Sequence, residues 1–388
     1  MSLAKSSKVL LFTLVLFIAV PCARSQSSAL SSLYFNSADH VYYVDSTQHV
    51  NQLLWTGTRW VNNDLTADSG STTLAAVGSA LTTLYFNGSD HVYFFDTNGN
   101  VNQLLWTGSA WVDNNLTADS GSTHIAATGA GITSLYFSTG DRVYYIDTNQ
   151  HVNVMGWTGA AWRDIDLTAL ARVPALAAPK SALSSLYFGG TDHIYYIDVN
   201  GNVNQLLTVG LSYVNNNLTA DSGTSVVAET TSGLSSLYFN GADHVYYVDT
   251  NQNVDQLLWT GAAWVNNNLT ADSGTSTIAW MGSAITSLYF NGADHVYYLG
   301  SNQDINQLFW DGAAWVDNNL TADSGSSALG LGTTGLTSLY FVGADHVYYV
   351  DTNHNVNQLL WTGAAWVNNN LTADSGTSTV TDLQPVPF

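Results

Sequence analysis

The chain has 388 residues, 46% of them hydrophobic, enough apolar surface for a sizeable core. It carries 8 Lys and Arg against 29 Asp and Glu, a formal net charge of −21. That balance leaves no basic footprint for nucleic acid or for anionic lipid, so neither is an expected partner.

At the N-terminus, Lys5 and Lys8 precede an apolar run from Val9 to Val20, and small residues follow at Ala23 and Ser25. This pattern predicts a secretory signal peptide over 1–25, too short for a comfortable membrane span, with cleavage after Ala23 or Ser25. Two alternatives stay open: a lipid anchor on Cys22, or an apolar N-terminal anchor that is never removed. Cys22 is the only cysteine, so the remaining chain, 26–388, relies on no disulfide despite an exported destination. Loss of Lys5, Lys8 and Arg24 would take its charge from −21 to about −24. The expectation is a secreted, extracellular protein with no membrane insertion after cleavage.

From residue 28 the chain repeats itself seven times at a period of 51 residues, without insertion or deletion. The copies are 28–78, 79–129, 130–180, 181–231, 232–282, 283–333 and 334–384. Their marker is a tryptophan pair five residues apart: Trp55 and Trp60, Trp106 and Trp111, Trp157 and Trp162, Trp259 and Trp264, Trp310 and Trp315, Trp361 and Trp366. The fourth copy has Thr208 and Tyr213 there. A fixed period of this length signals one supersecondary unit stacked on its neighbours.

The fifth copy serves for all. Leu234 to Phe239 is a short apolar and aromatic strand, followed by a turn at Asn240, Gly241 and Ala242. His244 to Val248 is β-branched and aromatic, which suits a pleated strand. Asp249 to Asn253 is a turn; the second copy writes it Asp96-Thr97-Asn98-Gly99-Asn100, and Asn-Gly is a strong hairpin signal. Val254 to Trp259 is a third strand, Thr260-Gly261 a second hairpin turn, and Ala263 to Asn266 opens a fourth strand. Leu269 to Gly274 is polar and leads to the next copy. No stretch has a long apolar 3.6 period, so helix is not expected. Four-stranded meanders repeated at about 40 to 50 residues predict an all-β, seven-bladed β-propeller forming a single domain and a monomeric ring.

Copies one, two, five, six and seven keep the pattern. Copy three has Arg142 in place of the histidine and Val154 in place of the glutamine, and it carries Pro174 and Pro179. The tail from Asp382 to Phe388 reads as a short extension against the first blade. The aspartates Asp45, Asp96, Asp147, Asp198, Asp249 and Asp351 recur in turns, where such side chains bond local backbone. Asn-x-Thr occurs at Asn115, Asn217, Asn268, Asn319 and Asn370, and Asn87-Gly88-Ser89 also fits a glycosylation acceptor. No metal or cofactor is expected. The turn from Asp96 to Asn100 has its glycine two places early for a calcium loop and no twelfth-position Glu.

Four side chains per copy stand out as candidate carbohydrate-binding groups. They are His40, Gln52, Trp55 and Trp60 in copy one; His91, Gln103, Trp106 and Trp111 in copy two; His244, Gln256, Trp259 and Trp264 in copy five. Copies six and seven supply His295, Gln307, Trp310 and Trp315, then His346, Gln358, Trp361 and Trp366. Aromatic rings suit the apolar face of a saccharide, and amide and imidazole groups suit its hydroxyls. The same residues admit a structural reading: paired tryptophans as blade-to-blade packing, and the repeated histidine as a hydrogen-bonded strut.

These residues resemble the repeat of the fucose-specific β-propeller lectins of fungi and bacteria. That repeat reads approximately Arg-Val-Tyr, a turn with Gly, Ile-x-Glu, then Trp-Asp-Gly and a second Trp. Here the frame reads His244-Val245-Tyr246, Val254-Asp255-Gln256, Trp259-Thr260-Gly261 and Trp264. The resemblance implies sugar sites between adjacent blades, with the polar pair of one blade on the hydroxyls and aromatics of its neighbour on the apolar face. It also implies six blades, whereas seven copies stand here, and the Arg/Glu pair reads His/Gln. Pockets are expected wherever a His/Gln pair meets an intact Trp pair, and are expected to be weak at Arg142/Val154 and at Thr208/Tyr213. Unique acids or nucleophiles do not break the repeat at one place, so an enzyme is not expected. The two candidate functions are a secreted multivalent lectin-like propeller whose partners are surface glycans, and a non-catalytic extracellular interaction scaffold.

Overall fold

The structure is a computed structural model and describes residues 30–377, apart from 138–139, 210–211 and 333. The expected signal segment and C-terminal extension lie outside the described residues. The described chain forms seven four-stranded antiparallel sheets, each a simple meander built from one contiguous stretch. Blade 5 is Leu234–Phe239, Ala242–Val248, Val254–Trp259 and Trp264–Asn268. The innermost strands pack side by side around the ring, and that of blade 7 (Leu336–Phe341) returns to that of blade 1 (Leu30–Phe35). The architecture is a closed, all-β, seven-bladed propeller. Among the described residues no helix is long and apolar enough to cross a membrane.

The sequence dictates this arrangement through two features. The second strand, such as Ala242–Val248, is apolar on both faces because both are covered by neighbours. Tyr246 is fully buried against blade 6 and Tyr247 against blade 4. Hydrophobic clusters accordingly straddle adjacent blades, and seven of them complete the circle. Each fully buried large aliphatic side chain contributes roughly 1.5–3 kcal/mol, so the ring is held by its interfaces. The inner strands add hydroxyl pairs between blades, from Ser31 Oγ to Thr83 Oγ1 (2.8 Å) through to Ser32 Oγ to Thr337 Oγ1 (2.6 Å).

Three details differ from expectation. The second strand begins at Ala242, because Asn240 and Gly241 both take positive φ (51° and 80°) and suffice for a two-residue hairpin. The fourth strand runs Trp264–Asn268, because Thr260 N donates to Ala263 O and closes a longer turn. Each blade also ends in one helical turn, Leu269–Asp272 in blade 5, capped by Asn268, whose Oδ1 accepts from Ala271 N at 2.8 Å. A single capped turn carries no 3.6-residue apolar period, which is why the pattern hides it.

Candidate functional site

In blade 5 the strand order puts the inner hairpin turn (Asn240-Gly241) and the outer one (Thr260 to Ala263) on the same face of the ring. Between blades 5 and 6 that face opens into a cleft of about 590 Å³. One wall is Phe239, Asn240, His244 and Gln256 of blade 5; the other is Asp294, Trp310, Ala313 and Trp315 of blade 6. The polar pair of one blade therefore meets the tryptophans of the next, not its own. Trp259 and Trp264 pack in the opposite direction, on Tyr195 of blade 4.

At the floor, Gln256 is pinned from both ends. Its Oε1 accepts from Asn267 Nδ2 (3.0 Å), and its Nε2 lies 3.0 Å from His244 Nδ1 and 3.2 Å from Tyr246 OH. Tyr246 OH donates to Asp294 Oδ2 of blade 6, and His244 Nδ1 lies 3.0 Å from the same oxygen. This network recurs at the other clefts between a His/Gln pair and the following blade. Tyr42 donates to Asp90, Tyr93 to Asp141, Tyr195 to Asp243, Tyr297 to Asp345, and Tyr348 across the closure to Asp39. His244 is 7% exposed and Gln256 3%, so the pair is a strut between blades as well as a cleft floor. Burial holds the hydroxyls of Tyr42, Tyr93, Tyr246, Tyr297 and Tyr348 far above their usual range, which keeps them as donors. Burial also pushes the His193 imidazole down to about 4 and His295 down to about 3. Both are neutral near pH 7. Gln205 and Gln307 donate to their Nδ1, which puts the proton on Nε2.

The two tryptophans differ. Trp315 is 9% exposed and belongs to the interface core with Tyr246 and Val296, while Trp310 is packed on it with ring centroids 5.9 Å apart and stays half-exposed. The first tryptophan of each pair is thus the more accessible ring of the cleft wall, backed by the second. Among the described residues, the side-chain hydrogen bonds of the six motif histidines run through Nδ1, and none engages a cleft indole N–H. The cleft offers a flat aromatic wall, an imidazole edge, neutral amides, the carboxylates of Asp272 and Asp294, and no cationic side chain.

The direction of pairing changes the count. His40 and Gln52 face Trp106 and Trp111; His346 and Gln358 face Trp55 and Trp60; His295 and Gln307 face Trp361 and Trp366. His91 and Gln103 face Trp157 and Trp162, and His193 and Gln205 face Trp259 and Trp264. Copies three and four, set aside on sequence grounds, each supply half of an intact cleft. The two weak pockets expected from Arg142/Val154 and from Thr208/Tyr213 are one cleft, between blades 3 and 4. There Arg142 and Tyr144 both bind Asp192, and Tyr213 replaces the buried tryptophan. Six of the seven interfaces thus keep the full set. The residue that sequence reasoning missed is the interblade aspartate. Its signal was present: Asp precedes the motif His or Arg in every copy, inside a strand where Asp is disfavoured.

No protein-family model and no curated protein sequence matches the chain. Solved structures do. The chain is similar to the BP39L lectin from Burkholderia pseudomallei, at 16% identity and a TM-score of 0.65, over 89% of this chain and 99% of that one. It is similar also to the Aleuria aurantia lectin in complex with α-methyl-L-fucoside, at 17% identity and a TM-score of 0.54, over 80% and 97% of the two chains. That lectin is described as a six-bladed β-propeller with a novel mode of fucose recognition. At these identities the likeness is one of fold: a β-propeller of four-stranded blades, seven of them here.

Proposed function

We propose that the protein is a secreted, multivalent, non-catalytic carbohydrate-binding propeller, with one sugar site in each of the six intact clefts. The observation that carries this reading is the cleft between blades 5 and 6, where a half-exposed Trp310 faces His244 and Gln256 across about 590 Å³. A pyranose presents one apolar face and a rim of hydroxyls, and such a cleft matches both. The fold likeness to fucose-binding lectins supports the class of ligand, and the His/Gln pair in place of Arg/Glu leaves the particular sugar open. The first test is a glycan array probed with the chain from residue 26. Binding to a defined glycan set is expected, and its loss is expected when Trp55, Trp106, Trp157, Trp259, Trp310 and Trp361 are all changed to Ala in a protein that keeps its β-sheet circular dichroism. A folded variant that binds the same glycans unchanged sinks the cleft reading.

A second reading has its own observation. His244, Gln256 and Trp315 are all buried and joined to Tyr246 and Asp294 across the interface. A protein–protein scaffold would need the same struts and no ligand. An array with no binding, from a chain of intact structure, favours it.

A further inference from the structure

The clefts do not end at the tryptophans. Phe239, one wall of the cleft between blades 5 and 6, stacks on His244 at 4.0 Å between ring centroids. Tyr289 of blade 6 stacks with the same phenylalanine at 3.9 Å and 14° between planes. Tyr289 belongs to the innermost strand of its blade, so the three rings form a shelf leading from the cleft floor toward the innermost strands. The shelf recurs at each intact cleft. Phe35 joins His40 and Tyr85, Phe188 joins His193 and Tyr238, and Phe290 joins His295 and Tyr340. The stacks are near-parallel, and four of the tyrosines keep much of their surface in solvent: Tyr238 is 44% exposed, Tyr85 and Tyr136 39% and Tyr340 38%, while Tyr34 and Tyr289 are half-buried.

An aromatic ring that serves only to cap the phenylalanine needs neither that exposure nor a hydroxyl. A flat ring with a polar edge, reached by solvent and stacked on a phenylalanine that lines the cleft, suits a second pyranose. We infer that each Phe–Tyr stack is an inner subsite for the second sugar residue of a glycan seated in the cleft. The ligand class is then a neutral oligosaccharide, its terminal residue between His/Gln and Trp and its next residue on the tyrosine. This inference rests on the carbohydrate reading above.

The test compares the methyl glycosides of fucose, galactose, mannose and N-acetylglucosamine with di- and trisaccharides that end in the same residues, by calorimetry on the full ring. The matched oligosaccharide is expected to bind about ten-fold more tightly than its methyl glycoside. Changing Tyr34, Tyr85, Tyr136, Tyr238, Tyr289 and Tyr340 to Leu, which leaves the phenylalanines covered, is expected to remove that gain and spare the methyl glycoside. Saturation-transfer NMR on the unmodified protein gives a readout that needs no variant: protons of the second residue should receive saturation from aromatic protons. Transfer confined to the terminal residue, or equal affinity for glycoside and oligosaccharide, overturns the subsite and leaves the cleft standing. Absence of binding by every sugar overturns both.

Discussion

Asp255 stands where the other copies have Asn51, Asn102, Asn153, Asn204, Asn306 and Asn357. In copies one, four and seven this asparagine donates to the turn aspartate, as Asn51 Nδ2 does to Asp45 Oδ2 at 2.8 Å and Asn357 to Asp351 at 2.9 Å. Asp255 instead brings a second carboxyl against Asp249, wholly buried, and burial with that neighbour's charge pushes it up to about 7. The ordinary value is about 4, so the folded state holds a proton that the unfolded chain releases between about pH 4 and 7. Stability therefore falls as pH rises through that window, by about 1.4 kcal/mol for each pH unit crossed. Asp255→Asn is expected to stabilise the ring by roughly 2–4 kcal/mol at pH 8 and by little near pH 4. Urea unfolding at both pH values checks this, and an equal effect at both would refute it. Val342 is a second local conflict: a β-branched residue at φ 51°, 85% exposed, in the turn where Asn87, Asn240 and Asn291 sit at 50–52°. Val342→Asn should raise stability by about 1 kcal/mol, since asparagine tolerates the left-handed region that valine resists.

At the scale of the element, the one-turn helix explains a motif that the sequence leaves ambiguous. Asn115 Oδ1 accepts from Ala118 N at 2.9 Å, while Thr117, 5% exposed, accepts from Val101 N at 2.9 Å. Asparagine, a buried leucine and a threonine are each accounted for by that cap and its tie to the third strand. Blades 1 and 3 do the same with Asp64 and Asp166, which are not glycosylation acceptors. The shared physical role of Asn-Leu-Thr and Asp-Leu-Thr is thus capping. Asn268→Asp should leave thermal stability nearly unchanged, whereas Asn268→Ala should cost about 1 kcal/mol. Equal losses from both variants would remove the cap as the reason for the motif.

For the whole molecule, the proposed function has six clefts on one face of the ring acting together. A shallow site without a cationic partner should hold a free sugar at around a millimolar, about −4 kcal/mol. Linked engagement of a dense glycan surface can raise apparent affinity by roughly 10²–10⁴ without a new contact. Calorimetry on free sugar should give six sites, not seven, because the interface with Arg142 and Tyr213 lacks the set, while a glycan-coated chip should retain the protein far longer. A net charge of −21 adds a second expectation: sulfated or sialylated surfaces should bind weakly at low salt and better as salt screens the repulsion. A seventh site of equal affinity, or tight binding to anionic glycans at low salt, would contradict these.

Much of this architecture was determined by the sequence itself. A period of 51 residues without insertion demands equal wedges, and seven equal wedges close a ring. The second-strand run His244 to Val248, apolar on both faces, already requires a neighbour on each side. The groups that line the clefts were visible too, because they recur where strand propensity alone does not require them. What the sequence could not decide was direction. A repeat is the same read toward either neighbour, so nothing local says whether His244 and Gln256 meet Trp259 of their own blade, Trp310 of the next or the pair of the one before. Only the ring sets that choice, through the sense in which successive sheets pack: Tyr246 reaches forward to Asp294, and Trp264 reaches back to Tyr195. That handedness merges two imperfect copies into one imperfect cleft and leaves six intact. It also separates the roles of the paired tryptophans, since burial of Trp315 and exposure of Trp310 follow from which ring faces the neighbouring blade.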